Sequence, residues 1–126
     1  VKHVCVAALL VAGLMHLLPI AGVMGASTLA RLYGIEVNDR NTAILLQHRA
    51  LLFGVLGVLM LSAIALPWLR VTALSVGLFS TASFIVVALG VGGYNSAIGR
   101  VVLADVVASV LLAVGLLVAL WFPEKP

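Results

Sequence analysis

Charge is the scarcest property of this chain. Seven of its 126 residues are Lys or Arg and four are Asp or Glu, so charged residues make up 9% against 64% hydrophobic ones. A water-soluble domain carries roughly 25% charged residues. With a mean hydropathy of +1.32, an ordinary soluble fold is excluded and lipid becomes the main solvent. Cysteine is nearly absent as well. Cys5 stands alone, which excludes an internal disulfide and any cysteine-based metal site, and leaves the redox compartment unread. The formal charge of +3 and pI near 9.6 invite a nucleic-acid reading, but the basic residues never form a run and no nucleic-acid partner is expected. Hydrolytic signatures are missing too: there is no nucleophile elbow, no His-Glu helix motif and no Ser close to a His.

Apolar runs of membrane-spanning length are what the chain has in abundance. A span needs about 20 apolar residues, and four fit, at about 4–25, 42–66, 71–91 and 97–122. The expected fold is all-α: a four-helix transmembrane bundle forming a single integral membrane domain over 1–126, with a short interfacial helix between spans one and two. Lys2-His3 followed by an apolar stretch imitates a secretory signal, yet the stretch is longer than a signal core, and Met24 stands where a cleavage site wants a small residue. It is read as a retained span. Pro19 lacks the amide for the helix ladder and predicts a kink over residues 15–19, beside His16.

Ser27-Thr28 offer an N-cap for the amphipathic short helix, and Gly34 ends it. The stretch Glu36 to Asn41 is the one polar loop, with Asn41 or Thr42 as cap for span two. Pro67-Trp68 and Arg70 read as an interfacial anchor at a tight turn. Ser75, Gly77, Ser80, Thr81, Ala82 and Ser83 predict a close-packed face on span three. Tyr94-Asn95-Ser96 fits a turn and a new N-cap, while Trp121-Phe122-Pro123 marks the exit of span four, with Glu124 and Lys125 in water. Asn41-Thr42-Ala43-Ile44 is echoed by Asn95-Ser96-Ala97-Ile98, a hint of two repeated hairpins.

Depth carries the functional content. Spans two and four run the same way, and at 1.5 Å per residue Arg49 lies roughly 12 Å below Asn41 while Asp105 lies roughly 15 Å below Asn95. His16, on the antiparallel first span, comes to roughly 13 Å from the same face, and His48 is one residue shallower than Arg49. Arg100, Gln47, Tyr94 and Asn95 lie above this layer. An ionisable group in hydrocarbon costs about 2.5 kcal/mol or more, so a direct or one-water Arg49–Asp105 interaction is expected, because an unpaired buried charge costs several kcal/mol. His48 and Arg49 point about 100° apart and cannot share a target.

Several roles fit such a cluster. It can be a buried structural network, or a polar-ended pocket in which His16, His48, Arg49, Arg100 and Asp105 bind the headgroup of an amphipathic molecule. His16 and His48 permit bis-histidine haem ligation without demanding it. A zinc site falls short of ligands. Asp105 is the sole embedded acid available to a small proton-coupled transporter, and its pairing with Arg49 speaks against that role. The cofactor stays unknown.

The order ARLYGI, LLQHRALLFGVLG, SFIVVAL and RVVLADVV resembles small bacterial four-helix membrane proteins of the DoxX-like type. The resemblance covers nearly the whole chain and implies the four-span fold without an activity to carry over. Some such proteins resemble subunits of quinone-linked oxidoreductases. Others carry the label phosphopantetheine adenylyltransferase, whose His-x-Gly-His loop has no counterpart among His3, His16 and His48. The expectation is therefore a membrane protein, non-enzymatic or an accessory subunit, that binds a lipid, a quinone-like or another amphipathic molecule. A structural or oligomerising subunit, or part of a larger membrane complex, is the alternative. The resemblance places it in a bacterial inner membrane. Lys2, Arg70 and Lys125 against Arg31 and Arg40 put both termini in the cytoplasm.

Overall fold

The computed structural model describes residues 2–123, so Glu124 and Lys125 lie outside the described residues. The helices are α1 (Lys2–Leu17), α2 (Ala26–Tyr33), α3 (Arg40–Ala65), α4 (Arg70–Val91) and α5 (Ser96–Trp121). The fold is an all-α four-helix bundle. The segments Lys2–Met24, Arg40–Ala65, Pro67–Val91 and Ser96–Trp121 are each long and apolar enough to cross a membrane. The chain is a multi-pass membrane protein.

Proline decides how the first span ends. α1 stops at Leu17, and a 3₁₀ segment, Leu18–Met24, begins with Pro19 in its first turn, so the expected bend takes the form of a change of helix type. Caps start the others. Asp39 accepts from the Thr42 amide at 2.9 Å and the Thr42 hydroxyl at 3.0 Å, so α3 is capped two residues earlier than Asn41 would have capped it. Asn95 caps α5 by accepting from the Ile98 amide at 2.8 Å. The sequence echo is thus out of register with the caps by two residues. Gly25, without a side-chain cap, precedes α2 in place of Ser27 or Thr28, and Gly34 ends it in the left-handed region at φ 62°.

The four spanning helices form a square in which α1 touches α3 and α5, α4 touches both as well, and every neighbour is antiparallel. Across one diagonal α1 and α4 meet; across the other, α3 and α5 do not. Small residues make the close approaches. Ala8, Ala12, Gly13, Ala50, Gly54, Gly57, Ala63, Ala73, Gly77, Ala108 and Gly115 are buried, whereas Leu45, Val55, Phe79, Val86, Leu103 and Val110 face outward. Large apolar side chains outside and small ones inside is the pattern of helices packed in lipid, where close van der Waals contact replaces the hydrophobic effect. At Gly57 a Cβ would stand 2.9 Å from the Gly13 carbonyl oxygen, backbone that cannot step aside. On α4, Gly77 and Thr81 are buried and Ser80, Ala82 and Ser83 half-buried, but Ser75 is exposed. Thr81 accepts from the Ser109 hydroxyl at 2.8 Å and donates to the Gly77 and Leu78 carbonyls. Cys5, also buried, donates to the Gly115 carbonyl at 3.4 Å.

The α3–α4 turn corrects one expectation. Trp68 is exposed there, as an interfacial anchor should be, but Arg70 is buried. Its guanidinium donates to the Ala63 and Ile64 carbonyls at 3.3 and 3.1 Å, closing the C-terminus of α3, where a cation also complements the helix dipole. The connection, Leu66 to Leu69, is short enough to bring the arginine stem back against the helix it follows.

Candidate functional site

Because α3 and α5 stand apart, a cavity of about 360 Å³ opens between them at the end of the bundle that carries α2 and the polar loop. His16 of α1, Arg49 of α3, and Arg100 and Asp105 of α5 all line it, and α2 adds Arg31 and Tyr33. Met15, Leu18, Leu32 and Val101 form apolar wall. Asn95 holds the α2 side in place. While its Oδ1 caps α5, its Nδ2 donates to the Tyr33 and Gly34 carbonyls, each at 2.9 Å, so one side chain starts a spanning helix and ties down the helix that closes the cavity.

His48 is not part of this site. It is exposed and lines neither this cavity nor the groove beside it. The 100° step from Arg49, which faces inward, turns it to the outside. His16 is engaged on both ring nitrogens. Nδ1 is 2.8 Å from the Ala12 carbonyl, an acceptor only, so it donates there; Nε2 is 3.0 Å from the Ser80 hydroxyl. With the Phe53 ring also against it at 5.5 Å, His16 has no free nitrogen to offer a metal in this arrangement, and the facing histidine pair that a haem would need is not formed.

Arg49 is held in a way the expected ion pair does not describe. Its guanidinium carbon lies 4.8 Å from the ring centroid of Phe53, 5.3 Å from that of Phe84 and 5.7 Å from that of Tyr33. Three of the chain's eight aromatic residues surround this one cation. Each ring face is worth about 0.5–2 kcal/mol, most where water is excluded. Among the described residues no hydrogen bond or ion pair joins Arg49 to Asp105. The two face one cavity from opposite helices. The shared depth is as expected, and the direct contact is replaced by a gap. The cause is the square: parallel helices occupy a diagonal, and this diagonal is the open one.

Arg49 and Phe53 also line a shallow groove of about 620 Å³ between α3 and α4, with Ser80, Ser83, Phe79 and Phe84. They form the partition between groove and cavity. The aromatic residues, Arg31 and Ser80 are the members of the site that sequence reasoning missed. The one available signal was Phe53 one helical turn from Arg49 on the same span and Phe84 near its depth on the next.

No family model, no curated protein and no solved structure matches this chain. Fold and site define its class by themselves: a multi-pass four-helix membrane bundle with a cation-rich cavity at one end.

Proposed function

We propose that the cavity binds the headgroup of an amphipathic small molecule, lipid-like or quinone-like, and that the protein acts as a ligand-binding or accessory membrane subunit. The observation that supports this reading is the division of the cavity. Arg31, Arg49, Arg100 and Asp105 supply its polar lining, and Met15, Leu18, Leu32 and Val101 supply apolar wall. A volume of about 360 Å³ falls within the roughly 300–1,000 Å³ of small-molecule sites, which are mostly apolar with a few placed polar groups. Guanidinium groups suit anionic or carbonyl-bearing heads.

The test is mass spectrometry of protein purified in a mild maltoside detergent, followed by titration with a single-chain fatty acid, a lysophospholipid and a short-chain quinone. A molecule carried through purification, or one of the three bound by the parent protein and lost in Arg49→Gln, is the expected result. No carried molecule and no uptake of any of the three would sink the reading.

A second reading, an oligomerising subunit, draws on the open α3–α4 groove with its exposed Phe79, and sedimentation in the same detergent distinguishes it. The resemblance to DoxX-like proteins supports a bacterial inner membrane. Lys2, Arg70 and Lys125 support cytoplasmic termini, and a C-terminal fusion reporter active only outside the cytoplasm would reverse that assignment.

A further inference from the structure

The charge of the cavity narrows the ligand further than its shape does. Arg31, Arg49 and Arg100 enter from three different helices, α2, α3 and α5. Arginine stays protonated in proteins, so these three bring three positive charges whatever the pH. Opposing them is Asp105, the one carboxylate in the lining, and it offsets at most one. His16 can only be neutral or add to the excess. The lining therefore carries at least two uncompensated positive charges. Among the described residues none of the three arginines is ion-paired. Arg31 and Arg100 are exposed where the cavity opens and Arg49 is half-buried within it, so the excess positive charge faces an anionic head entering from that end.

We infer that the head bound here is a phosphate monoester. This rests on the amphiphile-binding reading and deepens it. A monoester carries about −1.5 to −2 charge at pH 7, which matches the excess. Its phosphorus bears three non-bridging oxygens, enough for one guanidinium fork from each helix. A carboxylate has two oxygens and one charge, and a quinone has no charge, so both leave the excess uncorrected. A sulfate ester shares the three oxygens but carries one charge, which makes it the control that separates shape from charge. The source is either a lipid-like alkyl phosphate, whose chain would lie on the apolar wall of Met15, Leu18, Leu32 and Val101, or free inorganic phosphate.

The experiment is isothermal titration calorimetry of the full chain in a neutral maltoside detergent, with octyl phosphate, octyl sulfate, octanoate, octanol and inorganic phosphate. Octyl phosphate should bind about tenfold tighter than octyl sulfate, and Arg100→Gln should weaken it by about tenfold, the size of one lost charge-assisted contact, and weaken uncharged octanol by clearly less. Arg100 is exposed, so this variant is expected to fold even where Arg49→Gln does not. Inorganic phosphate binding as well as octyl phosphate would assign free phosphate as the source and keep the headgroup. Octyl phosphate binding no tighter than octyl sulfate or octanol would overturn the phosphate assignment and leave amphiphile binding standing. If none of the five binds, both readings fail together.

Discussion

Asn95 is the residue whose loss should separate the two jobs one side chain performs. Its Oδ1 caps α5 at 2.8 Å, and its Nδ2 makes two bonds of 2.9 Å to the end of α2. An N-cap is worth about 1 kcal/mol, and each neutral hydrogen bond contributes about 1 kcal/mol net. Asn95→Ala removes all three and should cost about 3 kcal/mol. Asn95→Ser keeps a capping oxygen but cannot reach α2, so it should cost about 2 kcal/mol. Equilibrium unfolding in mixed micelles of dodecyl sulfate and maltoside measures the difference. Hydrogen exchange locates it: in both variants the α2 amides should lose protection, and in Ala alone the first turn of α5 should follow. Equal stabilities for Ala and Ser would refute the cap, and α2 amides as protected in Asn95→Ser as in the parent would refute the view that Asn95 clamps the cavity shut on that side.

Three further outcomes follow from the packing and the caps. Phe84→Leu, which takes one ring from the Arg49 cage, should destabilise the bundle by about 0.5–2 kcal/mol, and the same change in an Arg49→Met background should cost clearly less; equal costs in the double-mutant cycle count against the cage. Gly57→Ala sets a methyl group 2.9 Å from the Gly13 carbonyl oxygen and should cost about 1–3 kcal/mol by forcing α1 from α3, and an unfolding midpoint unchanged from the parent would show that the two helices are not in contact there. The Asp39 carboxyl is held below the usual carboxylate range, first by the Thr42 amide and then by the Thr42 hydroxyl and Asn41 amide. Its stabilisation of α3 is complete above the ordinary Asp value and fades as the pH falls through the lowered one; amide exchange at Thr42 and Ala43 should show that loss in the parent and not in Asp39→Asn, and identical pH profiles would contradict it.

Lipid as the solvent, four spans and the end of the bundle where polar groups collect were all legible in the chain, because each depends on composition and on distance along one axis. Run length against bilayer thickness counts the spans, and a rise of 1.5 Å per residue sets the depths of His16, Arg49 and Asp105. What lies around the axis is a different quantity. Whether Arg49 meets Asp105 or three aromatic rings depends on which helices are neighbours and which are diagonal, and a one-dimensional depth carries no such information. The same holds for His48, level with the site but turned away by one helical step, and for Arg70, whose place at the turn was evident while its fold back onto the α3 carbonyls was not. Sequence determined the depth of the polar layer. Tertiary structure alone decided that its centre is a cavity, because α1 and α4 meet across one diagonal while α3 and α5 stay apart across the other.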